Sequence, residues 1–127
     1  MRCVPLGGLD EVGKNMMVFE HANDIVVVDI GFQFPEEDML GIDYVIPDIS
    51  YIRGKESRIR GILLTHGHLD HIGAIPYLIE KMGSPPVFGT PLSLWLVKKR
   101  LEEFGLDKKV RLHAIDPDKR LTLGSFN

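Results

Sequence analysis

The sequence predicts a mixed α/β layered fold, and three observations carry that expectation. Two apolar, β-rich runs flank a short polar turn near the start, at Met16–Glu20 and Ile25–Ile30. The second half then alternates between short apolar strands and stretches with helical spacing. The order is therefore strands first and β-α-β-α-β afterwards, which suits helices packed on a mixed sheet. At 127 residues the chain is long enough for one domain with a real core and too short for two ordinary ones.

Taken in order, Gly7-Gly8 and Gly13 interrupt a short N-terminal strand with a glycine-rich turn. Met16-Met-Val-Phe-Glu20, the turn His21-Ala-Asn-Asp24 and Ile25-Val-Val-Val-Asp-Ile30 read as an antiparallel hairpin. Its second strand is apolar on both faces, so both should be covered. Gly31 to Arg60 is loop-rich, with Pro35, Gly41, Pro47 and Gly54 and an acidic run at Glu36-Glu37-Asp38. Gly61-Ile-Leu-Leu-Thr65 reads as a buried strand.

Ile72, Ile75, Leu78/Ile79 and Met82 recur at helical spacing, and Gly83 suits the stop. Pro76 is tolerated only in a first turn, so this helix is expected to start between His71 and Gly73. Pro86-Val-Phe-Gly89 is another short strand. Thr90 as N-cap with Pro91 after it opens a second helix. Leu94, Val97, Leu101 and Phe104 form its expected buried stripe, with Lys98, Lys99, Arg100, Glu102 and Glu103 facing water and Gly105 ending it. Lys109–Ile115 alternates as a half-buried strand, and Arg120–Asn127 reads as a turn leading into a further strand. That open β-pattern leads us to expect that the chain is part of a longer protein.

Composition narrows the function. The hydrophobic fraction is 44% and the charged fraction 26%, ordinary for a folded soluble domain. No apolar run approaches the roughly 20 residues of a membrane span, and no signal-peptide core is visible. A single cysteine, Cys3, cannot form an internal disulfide, so a cytoplasmic setting is the default expectation. The net charge of −3 gives no support of its own to a nucleic-acid partner.

The segment with distinctive chemistry is Thr65-His66-Gly67-His68-Leu69-Asp70-His71, between a strand and a helix. His66 and His68 are two apart, so in an extended stretch both rings project the same way and can grip one ion. Asp70 and His71 follow at the turn into the helix, where a second ion is within reach. Imidazole and carboxylate without thiolate suit Zn²⁺ or another first-row divalent ion. The turn also brings exposed backbone N–H groups beside the site, which favours anionic substrate oxygens. Three of the five histidines fall within six positions, a clustering that a merely polar turn does not explain.

His66-x-His68-x-Asp70-His71 resembles the HxHxDH signature of the metallo-β-lactamase superfamily. Within it the chain is most similar to the ribonuclease J family, through Gly7–Asn15, Phe34–Asp43, Val45–Asp48 and Leu64–Ala74. The resemblance covers essentially the whole chain. It implies the first half of a metallo-β-lactamase-like αββα sandwich, spanning residues 1–127. It also implies that His66 and His68 hold one metal, that Asp70 and His71 hold the second, and that Asp29 orients the metal loop without binding an ion. Activity would be hydrolysis of an RNA phosphodiester, endonucleolytic and 5′-exonucleolytic, by a hydroxide activated between two metals. Asp70 would help to position or deprotonate that water. The cofactors implied are two Zn²⁺ ions, with Mn²⁺ or Mg²⁺ as alternatives, and the partner is RNA, with self-association into a homo-oligomer open. Three further ligands of the family, two histidines and a bridging aspartate, have no match in this sequence, so the chain alone is expected to be inactive.

Two other readings stand beside this one. A different hydrolase of the superfamily would act on a thioester, a lactam or a small phosphodiester. A half-domain standing alone would bind metal or self-associate without catalysis. His21 reads as a solvated turn residue, His113 as a strand residue with a structural role and Trp95 as packing on its helix, while Cys3 lacks the patterned histidine or basic partner that a nucleophile would need. Glu36 to Asp38 reads as a solvated loop, although the family resemblance places that loop near the active-site side and leaves a role there open, and Lys98-Lys99-Arg100 reads as an exposed helix face.

Overall fold

The computed structural model describes residues 1–127 and contains one six-stranded sheet. Its strands are β1 (Arg2–Gly7), β2 (Met16–His21), β3 (Asp24–Val28), β4 (Ile59–Leu63), β5 (Val87–Gly89) and β6 (Leu112–Ala114). They lie side by side in chain order. β1, β2 and β3 pair antiparallel, as the expected hairpin requires, with Val18 opposite Val27 and Phe19 opposite Val26. β3, β4, β5 and β6 are parallel, with Val27 beside Ile62 and Ile62 beside Val87. Parallel neighbours need long crossovers, and helices supply two of them. α1 (Leu69–Ile72) and α2 (Ile75–Leu78) connect β4 to β5, and α3 (Pro91–Glu102) connects β5 to β6.

Alternation along the strands sends Met16, Val18, Ile25, Val27, Ile62 and Val87 to one face. All six are buried there, in a single core with Ile72, Ile75, Leu78, Ile79 and Met82 and with Leu94, Val97 and Leu101 of α3. The other face carries Met17, Phe19, Val28, Leu63 and Phe88, each only half-buried. Part of it is covered by the last residues. Leu123 and Phe126 close a tight turn with paired backbone bonds of 3.0 and 3.1 Å. Ser125 fixes that turn to the hairpin, donating to the Asp24 carboxylate at 2.7 Å and to the His21 carbonyl at 3.1 Å. No helix is long and apolar enough to cross a membrane.

Several elements depart from the expectation. The helix over residues 72–82 starts earlier, at Leu69, and is broken into α1, α2 and a 3-10 turn at Glu80–Met82. Pro76 is the reason. An unbroken helix would need its missing N–H and would press its ring on the preceding turn. The chain instead breaks at Gly73-Ala74, where the Ala74 N–H donates to Ile30 at 3.0 Å, and Pro76 takes the second position of α2. Gly83 does end the segment, in the left-handed region at φ 82°.

β3 stops at Val28 rather than Ile30, and β4 runs two residues ahead of the 61–65 range. β6 keeps only three residues of the expected seven. Thr90 caps α3 as expected, accepting from the Ser93 N–H. Phe104, however, lies beyond the helix and is exposed. Arg100, expected in water, is half-buried with its guanidinium 5.5, 5.8 and 5.3 Å from the rings of Phe32, Tyr77 and Phe104. Trp95 is not a packing residue: it is 55% exposed, with the Lys99 ammonium over its ring.

Candidate metal centre

The histidine-rich loop leaves the C-terminal end of β4 beside the end of β3, where parallel strands leave a crevice. Three stretches meet there: Asn15 before β2, Asp29–Phe32 after β3, and Thr65–Ile72. Backbone bonds stitch them together. Asp29 N–H donates to Leu63, Ile30 N–H to His71, Gly31 N–H to Asn15, and Phe32 N–H to Leu69, at 2.8 to 3.2 Å. Asn15 N–H donates to the Asp70 carbonyl at 3.1 Å. The approach is so close that a Cβ on Gly31 would stand 1.6 Å from that carbonyl oxygen. Gly67 is squeezed in the same way, since a Cβ there would lie 2.4 Å from a methyl of Leu96 on α3.

Asp29 is buried and sits at φ 61°, a region that short polar residues tolerate better than others. The turn aims its carboxylate at the metal loop. Oδ1 accepts from the Thr65 N–H at 2.8 Å, and Oδ2 accepts from the Thr65 hydroxyl at 2.7 Å. Oδ2 also lies 2.7 Å from Nδ1 of His71. A carboxylate accepts only, so His71 carries its proton on Nδ1 and keeps Nε2 unprotonated. Thr65 spends its hydroxyl proton on Asp29, so its oxygen is an acceptor toward His66 Nδ1, 3.1 Å away. That interaction leaves Nε2 of His66 free as well.

The donors converge. Ligand atoms of His66, Asp70 and His71 all lie within 4.8 Å of one another. His71 Nε2 is 3.4 Å from Asp70 Oδ2. The His66 ring stands 4.0 Å from that of His71 and 4.7 Å from that of His68, centroid to centroid. His68 is thus beside the cluster but outside the three-donor set, and it forms the N-cap of α1. Two imidazoles and a carboxylate, half-buried and with lone pairs presented by their hydrogen-bonded neighbours, are a chemically suitable set for a first-row divalent ion. Beside Asp70 a cleft of about 380 Å³ opens between Val12, Gly13, Phe32, Gln33, Phe34 and Leu69.

Two contributors had no assigned role in the sequence reading: Asn15, whose side chain reaches Asp70 and His71, and Thr65, which ties Asp29 to the loop. Both lie within the segments that carry the family resemblance, which is the only signal that points to them. His21 and His113 lie away from the centre. His21 ends β2 with its ring edge-on to Phe126, and His113 stacks on Phe88. Cys3 is exposed beside the Met17 sulfur.

A family model of the metallo-β-lactamase superfamily matches residues 9–119. The chain is 46% identical over 122 residues to Ribonuclease J 1 of Streptococcus pyogenes, which covers 96% of this chain and 22% of that protein. It is 41% identical over 127 residues to Ribonuclease J 2 of Staphylococcus aureus, covering 100% of this chain and 23% of that protein. The chain therefore spans under a quarter of the length of these relatives. Among solved structures, the metallo-β-lactamase fold protein YhfI from Bacillus subtilis superposes with a TM-score of 0.57. The match is 19% identical and takes in 96% of this chain and 48% of that one, so it speaks for the fold alone. With the sheet, the loop and the family match in agreement, the chain belongs to the metallo-β-lactamase superfamily.

Proposed function

We propose that residues 1–127 are the first half of the catalytic domain of a ribonuclease J-type enzyme that hydrolyses RNA phosphodiesters with divalent metal. The observation that carries this reading is the convergence of His66, Asp70 and His71, in a chain 41–46% identical to ribonucleases J along nearly its whole length. His66 and His68 would serve one ion and Asp70 and His71 a second, with Zn²⁺ favoured by the donor set and Mn²⁺ or Mg²⁺ as alternatives. When bound, such ions lower the pKa of an attacking water and neutralise charge gathering on phosphorus.

The chain's own residues have distinct tasks. Asp29 holds the proton of His71 on Nδ1 and fixes the ring. Thr65 transmits the same carboxylate to His66. Asp70, partly exposed at the edge of the cleft, can accept a proton from a water held there. RNA would enter across that cleft.

On that two-ion division the chain alone offers two donors per ion, fewer than the three or four protein ligands of most zinc sites. Residues 1–127 are therefore expected to bind Zn²⁺ or Mn²⁺ weakly, by calorimetry, and to lose that binding in His66→Ala/His68→Ala. They should not cleave a 5′-monophosphorylated RNA under single turnover, whereas a protein of the relatives' length carrying this segment should, and should stop on Asp70→Ala. Unchanged metal uptake in the double variant would overturn the metal assignment. A long protein that ignores RNA but opens a lactam or thioester would replace the substrate.

A further inference from the structure

The side chain of Asn15 occupies an unusual place for a residue 55 positions away from its partners. Its Nδ2 lies 3.0 Å from the Asp70 carbonyl oxygen, 3.3 Å from Asp70 Oδ2 and 3.4 Å from His71 Nε2. An amide nitrogen has two N–H bonds. The shortest contact takes one of them, to the main chain of Asp70. The second is shared between the carboxylate oxygen and the imidazole lone pair, which are the two atoms that Asp70 and His71 would present to an ion. The backbone of Asn15 is fixed independently. Its N–H donates to the same Asp70 carbonyl at 3.1 Å, and its carbonyl accepts from Gly31 at 2.9 Å. The amide is therefore carried on a rigid mount and has little freedom to point elsewhere.

We propose that Asn15 is a positioning residue of the metal loop, its side-chain amide setting the orientation of the Asp70 carboxylate beside His71 Nε2. This rests on the metal-dependent reading above. With His71 Nε2 engaged by a metal, the shared N–H of Asn15 would be left to Asp70 Oδ2, and Asn15 would then hold that carboxylate more firmly. Asp29 does the corresponding work for His71 from the opposite side, through Nδ1. Asp29 and Asn15 thus grip the loop between them, one with an acceptor and one with a donor. Hydrogen-bond partners of metal ligands generally contribute ten- to a hundredfold in metal affinity.

The test titrates residues 1–127 with Co²⁺, following the Asp70 and His71 resonances by NMR and the ligand-field absorption, with thermal melts in parallel. Asn15→Ala and Asn15→Leu both remove the donors, and the second keeps the bulk. The expected result is a titration midpoint at least tenfold higher in both variants, with an altered absorption envelope and a melt close to that of the parent. Asp70→Ala and His66→Ala serve as references. If these references bind Co²⁺ like the parent, there is no metal site here and the proposal falls with it. If they lose binding while both Asn15 variants keep the parent midpoint and spectrum, the metal reading stands and the role of Asn15 is refuted. If the melt of both Asn15 variants collapses while the absorption of the folded fraction is unchanged, the residue is structural only, which also refutes the proposal.

Discussion

Asp29 shows how much chemistry one residue can organise here. Its carboxylate accepts from the Thr65 amide, the Thr65 hydroxyl and His71 Nδ1, and its backbone adopts φ 61° to do so. Strain of this kind persists where surrounding contacts over-determine it, and functional sites are where it concentrates. Asp29→Asn separates geometry from charge. Asparagine tolerates the same backbone region, but its amide supplies one acceptor oxygen where the carboxylate supplied two. His71 then loses the partner that keeps its proton on Nδ1. The expected outcome is a ten- to hundredfold weaker metal titration, with ¹⁵N NMR showing a mixed tautomer at His71. A pure Nδ1–H tautomer and parent affinity in the variant would remove Asp29 from this role. The local pattern of the motif made His66, Asp70 and His71 legible, because a strand followed by a helix turn forces such spacing together. Asn15 and Thr65 took no role from the sequence. Asn15 acts only once β2 and β3 have folded back on the loop, 55 residues away, and a threonine before a histidine announces nothing by itself.

At the scale of elements, the hairpin and the caps followed their residues closely, whereas the helix after the metal loop and the length of β6 did not. The hairpin, the Thr90-Pro91 start of α3 and the Gly83 stop are local signals, each satisfied within a few residues. Pro76 forces the break, but its place at Gly73-Ala74 is completed by Ile30, which accepts from Ala74 from across the fold, and no helical period reveals that partner. Arg100 is a similar case, since its place among Phe32, Tyr77 and Phe104 exists only after α3 docks. The loop between β3 and β4 is tied to the sheet by Glu20 on β2. A hydrogen bond from the Tyr51 hydroxyl at 2.7 Å, and then the Arg58 guanidinium at 2.6 Å, bring the Glu20 pKa down from 4.5 to about 2. A carboxyl with a lowered pKa stabilises the fold fully above its unfolded value and ceases to do so below its folded one. Stability contributed by this network is therefore present above about pH 4.5 and is lost as the pH falls to about 2. Denaturant unfolding across that window should show a steeper loss in the parent than in Glu20→Gln, and parallel curves would show that the network does not couple to folding.

Across the whole molecule, the sheet divides the chain into a finished side and an unfinished one. One face is sealed by α1, α2 and α3 over Val18, Val27, Ile62 and Val87. On the opposite face the final turn covers only part of the sheet, with Leu123 against Gly61. What remains is an apolar cleft of about 290 Å³ between Phe19, Val28, Leu63, Leu121 and Phe126, continued by half-buried Met17 and Phe88. An apolar cleft on a sheet face is a place where a second copy can dock. A two-fold arrangement in which each copy covers the other's face would bury it without any new element. We therefore expect residues 1–127 in isolation to associate, with a light-scattering mass that rises toward twice the chain mass across a concentration series. Phe126→Glu, which places a charge at the cleft from the final turn and not beside the metal loop, should hold the chain monomeric with its Co²⁺ titration unchanged. A parent chain that stays monomeric at the highest concentration, melts cooperatively and binds no hydrophobic dye would show that the final turn covers the face well enough by itself.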